Sequence, residues 1–194
     1  MRSIKIAGLL LFLTIVLMVY TPPAKAEWPW GSASEPFPWL NYLKSLPHSE
    51  GVTLYVLTRH EQTIQSAARV AFLNSPVAKA LGISDVVFLY VGSAQWPKYI
   101  QSGEIDVAWG GGPTLFNWLD QQGLLQPLDN KTHPEFNAVL YELSKIPTTY
   151  AGAQSYLVGS DGFVHWIGAS LSSFGITINK KVLTQYNAPA PQVW

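Results

Sequence analysis

The chain has no cysteine among its 194 residues. That excludes disulfide staples, thiolate chemistry and the lipidated cysteine of a bacterial lipoprotein, and it leaves the fold to depend on its core. No basic stretch able to track a phosphate backbone is present, so nucleic acid is not an expected partner. The four histidines, His48, His60, His133 and His165, show no metal-ligand spacing. The glycine run Gly110-Gly111-Gly112 has Leu115 where a G-x-G-x-x-G fingerprint needs its last glycine, and no Lys-Ser/Thr follows it as in a P-loop. Asp106 has no evident partner carboxylate for acid–base work. There is no internal repeat, and no cofactor is expected.

The first 26 residues have the layout of a secretory signal peptide: Arg2 and Lys5, an apolar run from Ile6 to Tyr20, and Ala24-Lys25-Ala26 before Glu27. The apolar run is 15 residues long, short of the ~20 that cross a bilayer. Cleavage near Glu27 and export to the periplasm or cell surface are expected, with an uncleaved membrane tether as the alternative. Removing residues 1–26 takes away Arg2, Lys5 and Lys25 and no acid, leaving 9 basic against 12 acidic residues, formally −3.

Residues 27–50 form a leader rich in tryptophan and proline, including Trp28, Trp30, Trp39, Pro29, Pro36 and Pro38. That proline density forbids regular structure over 27–38. Phe37, Trp39, Leu40, Tyr42 and Leu43 start a short docking helix, and the aromatics are expected to pack against the domain rather than stack on a ligand.

From Gly51 the pattern becomes regular. Val52–Leu57 reads as a strand buried on both faces. A helix follows with Ile64, Ala67, Ala68, Ala71 and Phe72 on one face, then a short helix over Val77–Leu81. Asp85–Tyr90 is the next buried strand and Trp96–Gln101 a helix. Ile105–Trp109 is the third strand, followed by a helix over Thr114–Gln121 with Leu115, Trp118 and Leu119 inward. This order predicts an α/β lobe with a doubly wound, mostly parallel sheet. Beyond it, Phe136–Leu143 reads as a helix, Ser160-Asp161-Gly162 as a turn, Val164–Ile167 and Phe174–Asn179 as strands, and Lys180–Tyr186 as a terminal helix. The α/β domain is assigned to 51–187, and the Ala-Pro stretch at 188–194 reads as the start of a linker, as if the chain were cut.

Two strand-to-helix junctions carry the chemistry. In an open parallel sheet, the carboxyl ends of the strands border one crevice that binds ligands, and helix amino ends favour anionic or strongly polar groups there. At the first junction, Thr58-Arg59-His60-Glu61 has the form of a capping box, with Thr58 and Glu61 bonding reciprocal backbone N–H groups. Arg59 and His60 are left over, either as ligand contacts or as plain surface residues. At the second, Trp109-Gly110-Gly111-Gly112 offers an aromatic face beside backbone that admits close approach, or else a simple glycine-rich turn. Asn130-Lys131-Thr132 is an N-glycosylation triplet.

These segments, in their order and spacing, resemble the extracytoplasmic solute-binding proteins of ABC importers, in the group handling ferric iron, thiamine and polyamines. The carriers are Val52–Glu61, Gly103-Glu104-Ile105-Asp106-Val107-Ala108-Trp109-Gly110-Gly111, Gly123-Leu124-Leu125-Gln126-Pro127-Leu128, Ser173-Phe174-Gly175-Ile176-Thr177-Ile178-Asn179-Lys180-Lys181-Val182-Leu183 and Pro189–Trp194. The resemblance implies a periplasmic-binding-protein-like lobe with crossover strand, the second lobe missing, and a non-enzymatic protein delivering a small polar solute or metal ion to an ABC permease. It implies ligand contacts at Thr58, Arg59, His60, Gln95, Trp109, Gly110, Gly111, Trp166, Ser173 and Phe174. His60 stands where some ferric-binding relatives place a metal-ligating histidine, while Gln95 replaces their acidic residue. Trp109, Trp166 and Gln95 equally suit an organic cation or a sugar.

Two other readings compete. A secreted serine hydrolase would pair Ser172 or Ser173 with His165, although Gly168–Gly175 fails the Gly-x-Ser-x-Gly elbow pattern. A structural cell-surface module could reuse the same fold without a ligand.

Overall fold

The computed structural model describes residues 37–170 and 179–189. The expected signal peptide at 1–26, residues 27–36 of the proline-rich leader, the strand at 174–178, Ser172, Ser173, Phe174 and the end of the linker lie outside those residues. Among the described residues no helix is long and apolar enough to cross a membrane.

The chain is mixed α/β. Helix α1 (Leu40–Ser45) precedes β1 (Val52–Thr58), α2 (Gln62–Leu73), α3 (Pro76–Ala80), β2 (Ile83–Tyr90), α4 (Trp96–Gln101), β3 (Val107–Trp109) and α5 (Pro113–Gln121). Helix α6 (Phe136–Ser144) leads into two antiparallel hairpins, β4 (Thr149–Tyr150) with β5 (Ala153–Gln154) and β6 (Tyr156–Val158) with β7 (Val164–Ile167), and α7 (Lys180–Gln185) follows. The main sheet is parallel in the order β2-β1-β3, with Thr58 of the central strand level with both Tyr90 and Trp109.

Strand alternation sorts the core into two layers. Leu54 and Val56 of β1, Val86 of β2 and Val107 of β3 join one buried cluster with Leu43, Phe72, Val77 and Tyr141. Leu57, pointing the other way, joins Trp96, Ile105 and Leu119. Both faces of the sheet are therefore covered where the strands end, which suits the apolar run of β1. At their beginnings the second face stays open: Tyr55 is 40% and Val87 37% exposed.

Several expected boundaries shift. β3 begins at Val107, because the preceding Asp106 uses its carboxylate to accept the N–H of Tyr55 at 2.9 Å and its own N–H to reach Tyr55 O. β2 is an edge strand, exposed at Ser84, Val87 and Tyr90 rather than buried on both faces. Trp118 is 41% exposed, since α5 turns Leu119 inward instead. Ile64 is exposed too: α2 meets the core through Phe72 at its far end. Ser75 caps α3 by accepting from Ala78 N–H, with Pro76 at the first helical position. The small hairpin strands β4, β5 and β6 carry too few residues to show a sequence period.

The described end of the leader, from Phe37 on, packs against the domain. Trp39 and Leu43, four apart and so on one face of α1, are fully buried. Trp39 Nε1 donates to Glu142 Oε1 at 2.6 Å, and Lys145 Nζ donates to the same oxygen at 2.9 Å. The Lys145 ammonium also stands 4.2 Å from the centre of the Tyr141 ring. Burial pushes the Glu142 carboxyl above its usual range, against the pull of Lys145 and Trp39.

Candidate functional site

A groove of about 830 Å³ opens at the carboxyl ends of β1 and β3. Arg59 and His60 enter it from the first junction, Trp109, Gly110 and Gly111 from the second, and Trp166 of β7 from the opposite wall. Two separate strand ends and a later hairpin therefore meet at one place.

The first junction differs from the expected capping box. Helix α2 starts at Gln62 behind Glu61, whose side chain makes no cap bond. Thr58 is the last residue of β1, fully buried, and its hydroxyl accepts the N–H of His60 at 3.1 Å. Gln65 Nε2 donates to the carbonyl of His60 at 2.6 Å and closes the turn. Thr58 thus shapes the turn that presents Arg59 and His60, and does not line the groove. The sequence pattern misled because a hydroxyl two residues before an N–H makes a local turn as readily as a helix cap.

The His60 ring lies against Trp109, centroids 4.3 Å apart and planes tilted by 49°, and Trp109 meets Phe88 at 5.8 Å. Burial first, and the charge of Arg59 second, lower the pKa of His60 below the usual imidazole range. At neutral pH it presents a neutral ring, able to stack and to accept. Gly110 is required here twice over: its φ is +90°, and a Cβ would stand 2.7 Å from His60 Nε2. Gly110→Ala should therefore cost about 1–2 kcal/mol from the left-handed backbone alone and displace the imidazole. Urea melts would register the cost. Unchanged His60 ring-proton shifts in the variant would contradict the close approach.

On the opposite wall Trp166 is 5% exposed, and its Nε1 donates to Asn117 Oδ1 on α5 at 2.9 Å. Phe116 bridges it to Trp96, at 6.3 and 6.1 Å between ring centres. Beside it His165 bonds Asp120 through Nδ1 and Asp161 through Nε2. The hydrolase reading needs His165 to take a proton from a serine, yet both ring nitrogens are engaged by carboxylates.

Gln95 ends a 3₁₀ turn after β2 (Ser93–Gln95) and is exposed away from the groove. The expectation that it joins Trp109 and Trp166 fails because the short turn before α4 buries Trp96 instead. Ser173 and Phe174 belong to the undescribed stretch. Among the described residues no group of three or more His, Asp or Glu is arranged to hold a metal ion. Sequence reasoning missed Asn117, Asp120 and Asp161. The available signal was the i, i+3 pair Asn117 and Asp120 on a helix that also carries Phe116 and Trp118, and an aspartate four residues before a strand histidine.

Comparison with family models, with curated proteins and with solved structures finds no match for this chain.

Proposed function

We propose that this chain is a periplasmic-binding-protein-like lobe of an extracytoplasmic solute-binding protein, which passes a small polar solute to an ABC-type permease. One observation carries the reading. The ends of β1 and β3 bring Arg59, the neutral His60 ring packed against Trp109, and the side-chain-free backbone of Gly110 into one groove with Trp166. Open parallel sheets bind ligands at such a place. The wall combines aromatic faces with a few polar groups, the usual make-up of a small-molecule site. If the solute is a metal ion, His60 is the ligand this lobe supplies.

Calorimetric titration with ferric citrate, thiamine and spermidine tests the reading. One of the three should bind. If it is a cation seated on the indole, Trp109→Ala should remove a contact worth about 0.5–2 kcal/mol, a two- to roughly thirtyfold loss of affinity. For ferric ion, His60→Ala should weaken binding more, and binding to the parent should fall as His60 gains a proton on acidification. No heat with any probe, or unchanged affinity in both variants, would remove the groove as the binding site.

A further inference from the structure

The far wall of the groove carries an ion cluster that stacking on Trp109 does not involve. His165 stands between two carboxylates from different elements. Nδ1 bonds Asp120 Oδ1 at the end of α5, and Nε2 bonds Asp161 Oδ2, 3.0 Å away, in the turn between β6 and β7. An ionised carboxylate can only accept hydrogen bonds, so a ring bonded to one at each nitrogen must carry a proton on both. Gly159 makes room for this: a Cβ there would fall 2.8 Å from His165 Cε1. The adjacent Trp166 bonds Asn117, one helical turn before Asp120. Two neighbouring residues of β7 are thus tied to one side of α5.

We propose that Asp120, His165 and Asp161 form a proton-operated latch that fixes Trp166 in the groove wall, and that loss of the imidazolium proton loosens this wall. A neutral imidazole keeps one N–H, so one carboxylate would then face a lone pair and its bond would become a repulsion. Asp120 from α5 and Asp161 from the turn are the charged groups that act on the ring. Burial disfavours the charge on His165, but the bonds to Asp120 and Asp161 and their negative charge outweigh it and hold the pKa above the ordinary histidine value. Because the folded value is the higher one, the latch contributes fully below the unfolded value of about 6.5. Its contribution is lost as pH rises through the folded value. The latch belongs to the wall and holds whatever the groove binds.

Nitrogen-15 NMR of the full chain tests it, with His165 assigned through His165→Gln and the Trp166 indole through Trp166→Phe. Both His165 nitrogens should be protonated near pH 6.5, with one transition centred above about 6.5. Across that transition, exchange of the Trp166 indole N–H should accelerate roughly tenfold or more relative to the exposed Trp118 indole, as expected when a tethering contact opens. Asp161→Asn, at the solvent side of the cluster, should move the transition to lower pH with an unchanged far-UV circular dichroism spectrum. A transition at or below about 6.5, or a Trp166 exchange rate that tracks Trp118 throughout, would overturn the latch.

Discussion

Lys145→Met should destabilise the protein by about 3–5 kcal/mol, the usual result of stripping one partner from a buried ion pair. Glu142 is 1% exposed, and Lys145 is the cation that accompanies it into the interior. Among the described residues, the carboxylate without Lys145 keeps the Trp39 indole N–H as its side-chain donor. The melting temperature should fall by about 10–15 °C. Adding Glu142→Gln should restore most of the loss, because the amide is neutral and still accepts from Trp39. The pH dependence has a defined sign. Burial raises the folded pKa of Glu142, so the folded state holds its proton more tightly than the unfolded chain. Stability therefore declines as pH rises from the unfolded value through the raised folded one, and the Lys145→Met deficit should shrink on acidification. Urea melts at several pH values would measure this. A deficit below about 1 kcal/mol would mean that Glu142 is hydrated like a surface carboxylate.

Trp39→Ala should cost a similar amount, about 3–5 kcal/mol, through the cavity left by a fully buried indole. Trp39→Phe separates the two contributions of this side chain. It keeps most of the ring volume and removes the donor to Glu142, so a loss of about 1–3 kcal/mol is expected. A double-mutant cycle with Glu142→Gln should reveal coupling across the 103 residues that separate the partners in sequence. Absence of both losses would mean that residues 37–46 are an appendage. The expected losses would make them part of the core, despite their place in a proline-rich leader.

The strands and helices around the groove were legible because their signals are local. Val52–Thr58 is a charge-free run, Trp96–Gln101 and Pro113–Gln121 carry helical spacing with proline at or near their starts, and Gly110-Gly111 announces backbone of positive φ. So the place of Arg59, His60, Trp109 and Gly110 along the groove was legible by asking what stands at or just beyond each strand end. The contacts between distant segments were not legible. Nothing in Thr58-Arg59-His60-Glu61 distinguishes a helix cap from the tight turn that Thr58 and Gln65 build around His60. The role of Asp120 depends on which residue of β7 comes to lie beside the end of α5, and that is a fact of packing. Trp118 and Leu119 are adjacent and apolar, and only the neighbouring Trp96 and Leu57 decide which is covered.

The two sides of the groove are anchored by different means, and this bears on how it would yield under load. Arg59, His60 and Trp109 hang from strand ends locked into a continuous backbone ladder, with β1 gripped on both edges. Trp166 is paired with Leu157 in a two-stranded ribbon, outside the main sheet, that is held to the rest by a backbone bond from Leu128 to Val164 and by side-chain bonds to Asn117 and Asp120 of α5. Each such bond is a single contact, whereas the ladder fails only cooperatively. The groove is therefore a vice with one stiff jaw and one compliant jaw. Misfit in a bound molecule would be absorbed on the Trp166 side, while the geometry at His60 and Trp109 stays fixed.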